Sequence, residues 1–295
     1  MKLGAVLTAA VVVLAGCGGG GQPSSTPVKS KNAGQGTAEA AVTTTAVEAA
    51  DPSPSAEADG SGRMIVTYDD ATTPEAIRGR ALMEKTKVMD GLAQDVNESL
   101  KLPYDVPLVG QQCGEANDFW DPSEKKMILC YEDVDNSLQI FGDAHDADPN
   151  DAARRVVIAS FYHELGHMVI DLYDLPATGR EEDVADQLSA FVLLQPDDQG
   201  NANPDYVEAA KDQARAYQIA AKEDDAASDD LLADPHTLNQ ARMYNFECWI
   251  YGSNPDANAD IVADGMLPEA RADGCEDEYN KLSRAWSTLL EPHMK

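Results

Sequence analysis

The sequence predicts an α+β fold, with a small sheet near the front of the folded body and mainly helices behind it. Three observations lead there. The β-rich runs, RMIVTY at Arg63–Tyr68, VPLVG before Cys113 and MILCYE around Cys130, all fall in the first part of the body. Behind them, apolar residues recur at three- and four-residue spacing, the helical period, in successive segments down to the C-terminus. Finally, a body of residues 63–295 without internal repeats suits one domain with a substantial core.

The front of the chain does not belong to that body. Lys2 is followed by an apolar run from Leu3 to Leu14 that ends in Leu14-Ala15-Gly16-Cys17. The run is too short to span a bilayer as a helix, and small residues close it, so residues 1–16 read as a signal peptide. The ending resembles the bacterial lipoprotein signal, which implies cleavage before Cys17 and lipid on that cysteine. Residues 17–62 are rich in Gly, Ser, Thr, Ala and Pro and have too little apolar surface to offset ordering entropy. They read as a disordered tether between a membrane and the body. The expected location is therefore outside the cell, lipid-anchored to the outer face of the bacterial membrane.

In the body, RMIVTY is a first strand. After Thr73-Pro74, Ile77, Ala81, Val88, Leu92 and Val96 predict one long amphipathic helix to about Leu100, stopped by Leu102-Pro103. VPLVG and MILCYE flank the turn-rich Asp121-Pro122-Ser123 and predict a hairpin-like strand pair. Asp148-Pro149, a cap followed by proline, opens a helix that Leu175-Pro176 closes near Tyr173. Further helices are expected over 181–195, after the Asp/Asn-rich loop at 196–205, over 238–250 and over 276–290. Neither that loop nor 254–268 has glycine and glutamate at the offsets of an EF-hand.

Charge and cysteines narrow the function. With 52 Asp and Glu against 22 Lys and Arg, the chain carries a formal charge of −30. Such a surface repels nucleic acid, and no basic patch interrupts it, so a nucleic-acid partner is excluded. Cys113, Cys130, Cys248 and Cys275 form an even set in an exported body, and proximity favours the disulfides Cys113–Cys130 and Cys248–Cys275.

The chemistry sits in FYHELGHMVIDLY. His163-Glu164-Leu165-Gly166-His167 puts two imidazoles one helical turn apart, roughly 40° around the axis, where both can reach one Zn2+. Their side of the helix also bears Val156 and Ile170, and Phe161, Leu165 and Val169 line the other, so the helix is buried and its imidazoles need partners. Glu164 stands where it can take a proton from a zinc-activated water as general base. A catalytic zinc site needs a third protein ligand, and the next helix opens with Glu181-Glu182-Asp183-Val184-Ala185-Asp186. Glu182 is the first choice, because Asp186 one turn on can hold the free ring nitrogen of His163; Glu181 and Asp183 follow.

HELGH followed by GREEDVAD, with CGEANDFWDP, ILCYE and DPHTLNQARMYNFECWIYG, resembles a family of bacterial metallopeptidases of otherwise unknown function, over about residues 100–290. The Glu-x-x-x-Asp after the zinc helix is similar to that of gluzincin peptidases such as thermolysin. The resemblance implies a zincin-like architecture with the active-site helix packed on a small sheet. By it, His163, His167 and Glu182 are zinc ligands, Glu164 is the base and Asp186 supports a ligand. His236 resembles the later histidine of gluzincin sites, an oxyanion donor, with Arg242 and Tyr244 in reserve; His145 and His293 read as exposed. The His167–Glu182 spacing is short for many gluzincins, and substrate preference does not carry over. MILCYE is either the sheet edge on which a peptide substrate lies or a buried central strand.

These readings converge on a zinc metalloendopeptidase acting on a peptide or protein at the cell envelope. A zinc-binding lipoprotein without turnover is the alternative, and a structural surface protein without metal a third.

Overall fold

The computed structural model describes residues 60–197, 199–222 and 228–295. The leader at 1–16, Cys17 and the tether up to residue 59 lie outside the described residues. The first element is the strand β1 (Met64–Tyr68), and two helices follow where one was expected: α1 (Pro74–Thr86) and α2 (Val88–Ser99). Lys87 between them takes φ 54°, and the Thr86 hydroxyl donates back to the Leu82 carbonyl at 2.8 Å. The reason is directional. In an unbroken helix the buried set Ala76, Gly79, Leu82 and Met83 would point roughly 120° away from Val88, Met89, Leu92, Ala93 and Val96. The break turns both sets to the core.

The sheet contains β2 (Val106–Gln111), β3 (Asp118–Asp121) and β4 (Lys126–Cys130) in the order β1-β2-β4-β3. β2 runs parallel to β1 and to β4, whereas β3 is antiparallel to β4. This corrects the expected hairpin. The Asp121-Pro122-Ser123 turn joins β3 to β4, and VPLVG lies alongside β4 as a parallel neighbour. The apolar β4 is interior, with Met127, Ile128, Leu129 and Cys130 all buried, so MILCYE is not an edge. The edge on that side is β3, whose sequence DFWD has little of the apolar run that marks a strand.

The last two residues of MILCYE are not strand. Tyr131 and Glu132 open helix α3 (Tyr131–Asp143), which begins directly after β4. The long helix α4 (Pro149–Tyr173) is capped by the Asp148 carboxylate accepting from Asp151 N at 3.1 Å, with Pro149 at its first position. It ends on Asp174, at φ 50°. Fully buried Phe161 and Met168 each contribute about 1.5–3 kcal/mol of burial there. The chain then forms α5 (Glu181–Leu194), α6 (Pro204–Ala220), α7 (Asp229–Ala233), α8 (Asn239–Ser253), α9 (Asp260–Ala263), α10 (Glu269–Ala272) and α11 (Cys275–Leu290).

α4 and α5 touch through Gly166. A Cβ built there would lie 2.7 Å from Ala185 Cα, so only glycine permits this approach. Cys113–Cys130 ties the end of β2 to the end of β4, and Cys248–Cys275 ties α8 to α11. Closing loops of this size removes about 3 kcal/mol of unfolded-state entropy each. The C-terminus is not frayed: His293 stacks on Tyr173 at 3.8 Å, and its carbonyl accepts from Lys101 N. That corrects its expected exposure, whereas His145 is exposed. No described helix is long and apolar enough to cross a membrane.

Candidate active site

The two imidazoles of α4 aim their Nε2 atoms at one another across 3.3 Å. Glu182, in the first turn of α5, brings Oε2 to 3.2 Å from His163 Nε2 and 3.3 Å from His167 Nε2. Three donor atoms thus form a nearly equilateral triangle. In a tetrahedral site with zinc bonds of about 2.0–2.1 Å, ligand atoms stand about 3.3–3.4 Å apart. Among the described residues this is the one cluster of three His, Cys, Asp or Glu side chains close enough to hold a metal ion.

The remaining ring nitrogens are taken. His163 Nδ1 lies 2.8 Å from Asp186 Oδ1, and His167 Nδ1 lies 2.8 Å from Glu181 Oε1. An ionised carboxylate only accepts, so each Nδ1 carries a proton and donates it. Both Nε2 atoms thereby face an anionic oxygen, which favours a positive charge at this point, either a proton on the ring or a metal ion taking its place. The electrostatics agree. Burial pushes His163 down, yet its bonds to Asp186 and Glu182 outweigh that and raise it to about 9. Burial lifts the Glu182 carboxyl as well, but the imidazoles around it hold it far below the usual carboxylate range. The donor set fits a divalent metal.

Asp186 is buried at 2% exposure, and Arg242 of α8 grips it with both arms, at 2.8 Å from Nε and 2.7 Å from Nη2. Arg242 in turn lies 4.2 Å from the centre of the Tyr217 ring. Arg242 is committed to that carboxylate, and it is not free to serve as the oxyanion donor for which it was held in reserve. Glu181, the next choice after Glu182 for the third ligand, is exposed and orients His167 instead.

Glu164 points the other way, toward the sheet. Its Oε2 accepts from Trp120 N of β3 at 2.8 Å, and its Oε1 stands 3.9 Å from His163 Nε2. Burial raises its carboxyl above the ordinary range. The hairpin of β3 and β4 is pinned to α4 through Asp171, which accepts from Trp120 Nε1 at 3.0 Å and pairs with Lys125 at 2.6 Å. His236, half exposed on the approach to α8, reaches Glu182 Oε2 with Nε2 at 3.0 Å and Asp234 with Nδ1 at 3.0 Å. A cleft of about 540 Å³ runs along β3 past Glu164, His167, Glu182 and His236. A second cavity, about 550 Å³, lies beside Leu165, Val169, Phe191 and Met294 on the opposite face of α4.

A family model described as "Putative metallopeptidase" matches residues 68–290. The chain belongs to that family. No curated protein matches the chain, and no solved structure does. Membership in a metallopeptidase family implies a metal ion and a peptide or protein substrate, and the residues matched include every side chain of the triangle.

In this family member the structure gathers His163, His167, Glu182, Glu164, Asp186 and His236 around one point and leaves Asp183, Tyr244 and His145 out of it. Sequence reasoning missed Trp120, whose backbone N–H holds Glu164, and the clamp by Arg242. It also missed Asp118 and Asp133, which flank the site on the side of α3. Asp133 was concealed because the chain after Cys130 was read as strand; Val134, Leu138 and Phe141, four and three residues apart, carry the helical period that would have revealed α3.

Proposed function

We propose that the protein is a zinc-dependent endopeptidase that hydrolyses peptide bonds at the outer face of the cell envelope. The observation that carries this reading is the triangle of three donor atoms with both Nδ1 protons already assigned and a buried glutamate beside it. His163, His167 and Glu182 would hold the ion. When bound, zinc supplies Lewis acidity toward the substrate carbonyl and brings the pKa of water down to about 7. Glu164 takes the proton of the attacking water and returns it to the leaving amine. Its burial raises the proton affinity of the carboxyl above the ordinary range, the direction a base at neutral pH needs. Asp186 and Glu181 fix the tautomers of the two imidazoles. His236, held from behind by Asp234, offers Nε2–H to the oxyanion that develops on the substrate.

Glu164→Gln keeps the shape of the site and removes the base. The variant should hold zinc at the parent's stoichiometry and lose about 10²–10⁴-fold in turnover. Cleavage at the parental rate would overturn the mechanism, and failure of the parent to cleave any member of a broad peptide library would favour a zinc-binding protein without turnover. His236→Ala should lower kcat with little change in metal content.

The leader and Cys17 complete the proposal. Residues 1–16 are removed, Cys17 carries lipid, and residues 17–62 hold the domain of residues 63–295 off the membrane. Cys17→Ser should move the protein from the membrane fraction to the soluble one, and an unchanged distribution would refute the anchor.

A further inference from the structure

Beside the triangle, on the side away from His167, a second polar cavity of about 220 Å³ runs inward from His163 and Glu164. α3, α4, α6 and α8 enclose it. Asp118 of β3, Asp133 and Asn136 of α3, Ser160 of α4 and Gln213 of α6 give it its character. We propose, on the reading of the protein as a peptidase, that this cavity is a substrate subsite that takes a lysine or arginine side chain next to the bond to be cleaved.

Four observations support the assignment. First, Asp118 and Asp133 carry no ion pair among the described residues, whereas the neighbouring Asp186 is already neutralised by Arg242. The positive charge of Arg242 is thereby cancelled where the cavity meets α8 and does not oppose a cationic side chain. Second, they stand close enough that Asp133 raises Asp118, which burial has already lifted well above the ordinary range, and burial raises Asp133 to about 6. A cation placed between them relieves both penalties. Third, Gln213 lines the same cavity at 7% exposure, and its Oε1 is buried without a hydrogen-bond partner. A buried carbonyl of this kind is costly unless a donor reaches it, and an ammonium or guanidinium brings several. Fourth, the size fits. At about 220 Å³ the cavity falls below the ~300–1,000 Å³ of clefts that hold a whole small ligand and far exceeds the ~30 Å³ share of one water. One long side chain suits it, while the peptide backbone occupies the larger cleft along β3. The charge of −30 on the whole chain would steer such a substrate inward.

The test uses the full chain loaded with zinc and internally quenched peptides that differ only at the residues flanking the cleaved bond, each set in turn to Arg, Lys, Leu or Glu. At one flank, Arg or Lys should raise kcat/KM at least tenfold over Leu, and Asp133→Asn should bring that ratio close to one. Leu or Glu preferred at both flanks, or a ratio untouched by Asp133→Asn, overturns the subsite and leaves the peptidase reading standing. Calorimetry on zinc-loaded Glu164→Gln decides the matter without turnover. Nα-acetylarginine amide should bind at least tenfold more tightly than Nα-acetylnorleucine amide, and equal affinities overturn the proposal even if no peptide is ever cleaved. Calcium titrated alone that binds one-to-one in the parent but not in Asp133→Asn would also overturn it, by giving the two carboxylates a metal instead.

Discussion

Asp186 shows how much of the site depends on a side chain outside the triangle of donor atoms. It is buried, it takes the Nδ1 proton of His163, and Arg242 cancels its charge with two hydrogen bonds. Asp186→Asn should weaken zinc affinity by about 10–100-fold, read by competition with a chromogenic chelator, because the amide no longer fixes the imidazole as an anion does. Arg242→Ala acts differently. It leaves a carboxylate buried without its partner and should cost about 3–5 kcal/mol of stability in urea unfolding. The histidines and Glu164 were legible at this scale because one helix holds them, and helical geometry fixes where i and i+4 point. The clamp was not legible. Arg242 lies 56 residues from Asp186 in the chain, and a lone arginine beside a candidate active-site histidine suggests a free donor as readily as a structural partner.

At the scale of elements, the site is the seam between α4 and α5, and Gly166 sets the width of that seam. Gly166→Ala drives a methyl against Ala185 and should push α5 outward, carrying Glu182 from the imidazoles. We expect about 1–3 kcal/mol of destabilisation together with loss of tight zinc binding. Gly91→Ala in α2 is the control: a Cβ there meets nothing within 4 Å, and the helix should gain up to about 1 kcal/mol. If both variants bind zinc like the parent, α5 is not positioned by this contact. The sequence marked α4 well, since Asp148-Pro149 starts it and Leu175-Pro176 follows its end. It did not mark the turn at Lys87, which no glycine or proline signals and which arises because two buried faces must meet one core. Nor did it mark β3 as an edge, because its four residues pair for tertiary reasons and not by propensity.

Across the whole molecule, stability should depend on metal and on pH. On the proposed function, a zinc ion bound by the folded chain and not by the unfolded one would add about 2.7 kcal/mol at a concentration 100 times its Kd, and EDTA should lower Tm accordingly. Glu247 of α8, 5% exposed with Oε2 unpartnered, is raised by burial from 4.5 to about 7. The folded chain keeps this proton where the unfolded chain has released it. Its stabilising contribution is therefore complete below about pH 4.5 and is lost as pH climbs through 7. Glu247→Gln should match the parent near pH 4 and exceed it at pH 8 by on the order of 3 kcal/mol, seen in melts at both values. A gap that narrows toward pH 8 would show that the carboxyl is not kept neutral by the fold.

The amide of Trp120 has a single hydrogen to give, and Glu164 already has it. A ligand chain that zips onto the exposed rim of the sheet at that rung must dislodge the glutamate first. On the proposed mechanism, docking and release of the base would then be two faces of one event, and a peptide that merely drifts through the groove would find the carboxylate still latched.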